Sequence, residues 1–386
     1  MFISNDIIYA GVNDHKIDLF EGQFSVPLGM AYNSYVISDE KPAVMDAVEK
    51  NFADEWLNNV EKALNGVSPA YLIIQHMEPD HSSSITAFME KYPDAVIVSS
   101  AAAFKMMANF YKNDYPERRM IIANGGSLSL GKHKLNFIAA PMVHWPEVIM
   151  TYEETEKVLF SADAFGKFGA NDVTDPEGWA CEARRYYFGI VGKFGVQVQA
   201  VLKKAANLDI KTICSLHGPV LNENLGYYLN LYDIWSGYGV EDNGVVISYT
   251  SVYGNTEKAA KLLKEKLTGY GVTKVVLNDL AREDIYECVE DAFRYGKQVF
   301  ATTTYNGGVF PKMKEFIDHL IERNYQKRTV GFIENGSWAP VATNCMKNML
   351  SASKDITYAE NTVKIFSALS DESASQIDAL AKELAK

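Results

Sequence analysis

The chain is 386 residues long, carries a formal net charge of −12, and 47% of its residues are apolar. That length exceeds one ordinary domain and suits two, each rich enough in apolar residues to bury its own core. The acidic balance argues against nucleic acid and acidic membrane surfaces as partners, and it would favour a basic electron-transfer partner.

No run of roughly 18 apolar residues is present, so no membrane span is expected. The opening MFISNDIIYAG lacks a basic segment followed by an apolar one, so it does not read as a secretory signal. Cys181, Cys214, Cys288 and Cys345 are scattered and form no CxxC. They are expected to be buried small apolar residues in a reducing cytoplasm, not a disulfide framework or an iron–sulfur site.

Along the chain to about residue 240, short apolar runs bounded by turns predict strands: FSVPL, SYVIS, AYLIIQ, AVIVSS, KLNFIAA, KVLFSAD and KTICSL. Helices are expected at Asp54–Leu64 and Glu182–Leu208. Many strands with few helices predict a sheet sandwich with helices outside. A polar, glycine-containing segment, Gly237–Gly244, reads as a linker. Beyond it the pattern alternates strictly. Strands are expected at GVVISYTS, TKVVLND, QVFATTT and RTVGFIE, and helices at Glu257–Leu267, Asp284–Tyr295, Lys312–Arg323 and Val341–Ser351. Such alternation predicts a doubly wound parallel sheet.

Metal-ligand residue types gather directly after AYLIIQ, in His76-Met77-Glu78-Pro79-Asp80-His81. On a loop leaving a strand, His76 and Glu78 can face one ion while Asp80 and His81 turn toward another, with Pro79 stiffening the turn. His144 follows FIAAPMV, Asp163 follows KVLFSA and His217 follows TICSL, each just beyond an apolar strand, where rigid scaffolds present functional groups. A lone histidine after a strand is commonly a hydrogen-bonding residue. Four ligand types within six residues, with three more at strand ends, argue for metal. Four imidazoles and three carboxylates without thiolate suit iron or manganese and also permit zinc.

The second half opens on VVISYTS running into Ser251-Val252-Tyr253-Gly254-Asn255-Thr256 and then a helix. Small and hydroxyl residues at a helix N-terminus offer donors to a phosphate. The segment has neither the GxxxxGK of an NTP site nor the GxGxxG of a dinucleotide site. Two further loops are expected at strand carboxyl ends, Thr304-Tyr305-Asn306-Gly307-Gly308 and Asn335-Gly336-Ser337-Trp338. Tyr305 and Trp338 can flank a flat ring, and Asn306 can bond its polar edge.

The HxExDH run with its later His, Asp and His resembles the metallo-β-lactamase superfamily. The variant with Glu78, where hydrolases carry His, resembles flavodiiron proteins, also called A-type flavoproteins. Tyr32-Asn33-Ser34-Tyr35 followed by Asp46 is similar to that family's N-terminal strands. The flavin loops resemble flavodoxin, although Tyr253 stands where the fingerprint commonly has Thr. The resemblance implies an α/β chain with a metallo-β-lactamase-like αββα sandwich over 1–243 and a flavodoxin-like doubly wound sheet over 244–386. It implies one iron on His76, Glu78 and His144, a second on Asp80, His81 and His217, and Asp163 bridging them. FMN would contact Ser251–Thr256, Thr304–Gly307 and Asn335–Trp338.

By the same resemblance, the chain is of the minimal two-domain class. The resemblance implies reduction of dioxygen to water, of nitric oxide to nitrous oxide, or of both. A reduced flavin and two ferrous ions together hold the four electrons that dioxygen requires. The donor would be rubredoxin, another low-potential carrier or a reduced deazaflavin. Head-to-tail dimers, or dimers of them, would place one subunit's FMN beside the other's irons. Two rivals are a dinuclear hydrolase fused to a flavodoxin unit and a plain electron-carrying flavoprotein. Glu78 argues against the first, and the full ligand set against the second.

Overall fold

The computed structural model of the protein describes residues 3–386. Two compact units result, one ending at Asp233 and one beginning at Ile234, within the helix Leu225–Ser236.

The first unit is built on two sheets. One orders Ile7–Tyr9, Tyr35–Ile37, Ala43–Met45, Tyr71–Ile73, Val96–Ser99 and Arg119–Ile121. The other orders Ser127–Ser129, Lys134–Ala139, Ile149–Glu153, Val158–Phe160 and Thr212–Cys214. Side chains from both sheets form one buried cluster, with Ile37, Met45, Ile73 and Val98 meeting Phe137, Ile149, Phe160 and Cys214. This is the expected sandwich, driven by burial of the two apolar faces. On the outside, helix Ala53–Leu64 buries Trp56, whose ring lies 5.6 Å from that of Phe88. Helix Gly195–Ala205 buries Val198 and Val201 and reaches the second sheet through Lys204 Nζ, which donates to Ala139 O (3.1 Å).

Two expectations for this unit need correction. FSVPL is extended only at Phe24–Ser25. The single helix expected at Glu182–Leu208 is instead Trp179–Tyr186, a π turn Tyr187–Val191, a 3-10 turn Gly192–Phe194 and then Gly195–Ala205. Glycines at 189, 192 and 195 weaken the helical path. A Cβ on Gly189 would lie 2.7 Å from the Phe24 ring, so glycine there permits a close approach.

In the second unit, Asp242–Tyr249, Val275–Asp279, Tyr295–Tyr305, Arg328–Asn335 and Ile356–Ile365 form a parallel sheet ordered 2-1-3-4-5 within the unit. The strand order reverses between the first and third strands, and ligands bind beyond the strand carboxyl ends at such a point. Helices Asn255–Gly269 and Asp371–Leu384 cover one face through Leu263, Leu267, Ile377 and Leu380. The last strand and last helix lie beyond the elements expected from sequence. Among the cysteines, Cys214 and Cys288 are buried as expected, whereas Cys181 and Cys345 are half-buried. Among the described residues, no helix is long and apolar enough to cross a membrane.

The segment read as a linker is firmly held. Buried Arg328 donates to Tyr238 O (2.9 Å), Gly239 O (2.9 Å) and Phe293 O, and Trp235 Nε1 donates to Glu241 Oε2 (2.6 Å). Replacing Arg328 with methionine strands those buried carbonyls. It should destabilise the second unit by about 3 kcal/mol or more, since three acceptors are orphaned and each is worth roughly 1–3 kcal/mol. The loss should appear as a lower urea midpoint by circular dichroism, and an unchanged midpoint would contradict the assignment.

Candidate metal centre and flavin cleft

The carboxyl ends of four strands converge at one end of the sandwich. His76 lies three residues beyond Tyr71–Ile73, Asp163 follows Val158–Phe160, His217 follows Thr212–Cys214, and His144 stands between Lys134–Ala139 and Ile149–Glu153. The chain turns sharply after Glu78, because Pro79 opens a one-turn helix, Pro79–Ser82. Proline is pre-shaped for that first helical position. The turn separates His76 and Glu78 from Asp80 and His81.

All seven sequence-predicted residues come together, in two groups. His76, Glu78, His144 and Asp163 present ligand atoms within 4.8 Å of one another, and so do Asp80, His81 and His217. His76 Nε2 lies 3.2 Å from both Glu78 Oε2 and Asp163 Oδ2. His144 Nε2 lies 3.1 Å from the same two oxygens. Asp163 Oδ1 faces the other way, 3.4 Å from His81 Nε2 and 3.7 Å from His217 Nε2. Asp80 Oδ2 completes that group at 3.2 Å from His81 Nε2 and 3.3 Å from His217 Nε2.

These spacings fit a pair of cations. Atoms bonded to one ion at about 2.0–2.2 Å sit roughly 3 Å apart. His81 Nε2 and His217 Nε2 are only 2.9 Å apart. His217 Nδ1 donates to Ala31 O (2.7 Å), which turns its Nε2 toward His81 and Asp80. Asp163 Oδ1 and both Asp80 carboxylate oxygens are buried without a hydrogen-bond partner among the described residues. Burial of such charges is expensive unless a counter-charge is supplied. The titration directions agree. Burial opposes charge on Glu78, yet hydrogen bonds from His144 and His76 hold its carboxyl far below the usual range. Burial would lower His144, but hydrogen bonds to Asp163 and Glu78 push it up to about 9.

A supporting layer fixes the ligands. Buried Glu147 accepts from His76 Nδ1 (2.8 Å) and from the Met77 backbone N–H (2.9 Å), which orients the imidazole. Asp46 accepts from Gln75 N (2.7 Å) and Gln75 Nε2 (2.9 Å), holding the residue before His76, and burial pushes its carboxyl up to about 6. Asn33 Nδ2 donates to Ser215 O (2.9 Å) and Gly218 O (2.7 Å) on either side of His217. Ala162 and Phe165, flanking Asp163, adopt φ of 50° and 67°. Non-glycine residues in that region mark a locally forced backbone. Sequence reasoning had passed over Glu147. The usable signal was a carboxylate three residues beyond a proposed ligand, in His144-Trp145-Pro146-Glu147.

In the second unit, a cavity of about 580 Å³ opens beyond the strand ends. Ser251, Val252, Tyr253, Asn255, Thr256, Thr304, Tyr305, Asn306, Gly307, Asn335, Gly336, Ser337 and Trp338, all predicted, line it. Gly254 does not line it. It caps helix Asn255–Gly269 at φ 83°, a conformation that suits glycine. Thr303, Val341 and Ser367 are lining residues that the sequence did not single out. The expected 304–308 loop differs in form. The strand runs through Tyr305, and Asn306-Gly307, at φ 50° and 72°, make a tight hairpin to Gly308–Val309.

The cavity fits a phosphate-bearing flat ring. The hydroxyls of Ser251 and Thr303 are buried without a partner among the described residues, beside the N-terminus of a long helix. Tyr253 and Trp338 are 91% and 88% exposed at the mouth. Large rings left so bare are suited to covering a ligand ring.

Comparison with known proteins covers both units. Residues 30–218 match the family described as ODP family beta lactamase, and residues 247–369 match Flavodoxin. A nitric oxide reductase of Moorella thermoacetica is 31% identical over 362 residues, spanning 91% of this chain and 90% of that protein. The rubredoxin oxygen:oxidoreductase of Desulfovibrio gigas shares the fold with a TM-score of 0.91 at 24% identity, covering 100% of this chain and 97% of that one. The flavodiiron protein from Giardia intestinalis gives 0.91 at 25% identity, covering 99% and 95%.

Two outcomes follow from the geometry. Glu147→Ala should weaken metal retention against a chelator roughly 10- to 100-fold, the usual effect of losing a carboxylate behind a ligating histidine. Undiminished metal content would show that Glu147 does not orient His76. Trp338→Ala should weaken FMN binding roughly two- to tenfold, from loss of a stacking contact worth roughly 0.5–1.5 kcal/mol. Fluorescence titration of the FMN-free protein would measure it, and equal affinity would contradict the stacking role.

Proposed function

The chain belongs to the flavodiiron protein family, and on that premise we propose that it reduces dioxygen, nitric oxide or both at two non-haem irons, fed through FMN by an external donor. Asp163 carries the reading. One of its carboxylate oxygens faces His76 and His144 and the other faces His81 and His217, as a bridge between two ions requires.

In this reading His76, Glu78 and His144 hold one iron. Asp80, His81 and His217 hold the other, with His81 a direct ligand because its Nε2 faces Asp80, Asp163 and His217. Each ion then has four protein donors including Asp163, leaving room for a small gas molecule. Glu78 supports iron over zinc, since an anionic donor in place of an imidazole favours the ferric state. When bound, the irons and FMN supply the electrons that take dioxygen to water or pairs of nitric oxide to nitrous oxide.

The chain's own residues prepare the site for that chemistry. Glu147 keeps His76 in the tautomer that presents Nε2. Tyr32, Tyr186 and Phe20 set their rings 5.4–6.0 Å from that of His217 and limit access of water. Burial pushes the hydroxyls of Tyr32 and Tyr186 far above their usual range, so both remain O–H groups. In the flavin cleft, the hydroxyls of Ser251 and Thr256 and the N-terminus of helix Asn255–Gly269 would receive the phosphate. Thr303, also lining the cavity, offers a further buried hydroxyl to the ligand. Tyr305 and Trp338 would flank the ring, with Asn306 at its polar edge. Rubredoxin, another low-potential carrier or a reduced deazaflavin would refill the flavin, in the cytoplasm. Head-to-tail dimers or pairs of them would bring one subunit's flavin to the other's irons.

Iron-loaded, FMN-bound protein with a reduced donor should consume dioxygen or nitric oxide in a gas-electrode assay. His76→Ala and Asp163→Ala should each abolish whichever activities the parent shows. Retained turnover in either variant would contradict the ligand assignment.

A further inference from the structure

The strands that deliver metal ligands at their carboxyl ends carry a second ligand cluster at their other ends. His133 immediately precedes Lys134–Ala139, and Glu156 stands two residues before Val158–Phe160. Asp6, just before Ile7–Tyr9 of the opposite sheet, joins them. His Nε2 or Nδ1 and one oxygen of each carboxylate lie within 4.8 Å of one another. At about 3.4 Å per residue, the length of Lys134–Ala139 alone separates this cluster from the first centre by roughly 20 Å.

Three observations set this cluster apart from an ordinary acidic patch. First, fully buried His133 directs Nδ1 to Glu153 Oε1 (3.0 Å), and Glu153 is itself fixed by the backbone N–H groups of Thr155 (2.7 Å) and Glu156 (2.7 Å). That repeats the Glu147–His76 arrangement, in which a carboxylate holds one ring nitrogen and frees the other for an ion. Second, the other ring nitrogen, His133 Nε2, points into the cluster and lies 3.3 Å from Asp6 Oδ2. The two atoms are at hydrogen-bond distance, so the carboxylate favours either a proton on the ring or a cation held between them. Third, Glu156 Oε2 is buried without a hydrogen-bond partner among the described residues. Lys132 Nζ reaches Asp6 Oδ2, but its side chain is 59% exposed and can swing out to solvent. Asp39 takes no part as a ligand, since its oxygens accept the backbone N–H groups of Glu40, Lys132 and His133.

We propose that Asp6, His133 and Glu156 form a structural site for a divalent zinc-type cation, separate from the diiron centre. One imidazole and two carboxylates, with water in a fourth position, match the mixed N/O donors that zinc accepts. The ion would join the Asp6 segment of one sheet to the 129–134 turn and the 153–158 turn of the other. It would act as a staple at the end of the sandwich remote from the catalytic metals.

The test uses holoprotein with both irons and FMN in place, titrated with zinc chloride and followed by zinc and iron analysis after gel filtration. The expected result is about one further zinc per chain with no loss of iron, and a thermal midpoint that rises with zinc concentration. Asp6 and Glu156 are only partly buried, so D6N and E156Q should fold. They should bind this zinc at least tenfold more weakly and lose the zinc-dependent rise in midpoint. The proposal is overturned if the holoprotein binds no further zinc, which would make His133 an imidazolium paired with its carboxylates. It is also overturned if zinc enters only as iron leaves, or if E156Q and D6N bind it as the parent does.

Discussion

The first unit depends on one buried carboxylate facing two ways. Asp163 is held between left-handed Ala162 and Phe165 and presents each oxygen to a different pair of imidazoles. A buried group so placed is costly with nothing between it and its neighbours, and becomes favourable once cations occupy both sides. The surrounding architecture serves to keep it there. The sandwich brings strand ends together, Pro79 separates His76 and Glu78 from Asp80 and His81, and Asn33, Asp46 and Glu147 restrain the backbone and rings around them.

The second unit solves a different problem with looser means. A parallel sheet with a reversal in strand order leaves a crevice by topology alone. The side chains lining it are hydroxyls and exposed rings, not fixed charges, so the cleft suits an anionic phosphate at a helix N-terminus and an apolar ring beside Tyr305 and Trp338. The asymmetry has a chemical basis. Metal ions demand fixed donors at defined spacing, whereas a flavin in this cleft would be held by many weak contacts spread over three loops.

Much of this was legible in the sequence because strand ends are legible. Apolar runs such as AYLIIQ and KVLFSA stop shortly before residues of ligand type, and all seven residues singled out gather in two groups that meet at Asp163. The features that escaped are those whose cause is tertiary. Glu147 resembles any acidic loop residue until His76 is placed against it. The strand Ile356–Ile365, ITYAENTVKI, mixes polar and apolar residues because it has one neighbouring strand, so it lacks the continuous apolar run of an interior strand. The helix expected at Glu182–Leu208 is broken where Gly189 admits the Phe24 ring, a contact between residues far apart in the chain. The segment Gly237–Gly244 reads as a linker by composition, yet buried Arg328 pins its carbonyls.

The bridge that Asp163 would form between two irons in the first unit is open to measurement. X-ray absorption at the iron edge on iron-loaded protein tests it directly. A bridging Asp163 predicts two irons per chain and an iron–iron scattering vector of about 3.5–4 Å, the separation typical of two-metal sites. A single metal per chain, or two irons with no such vector, would contradict it.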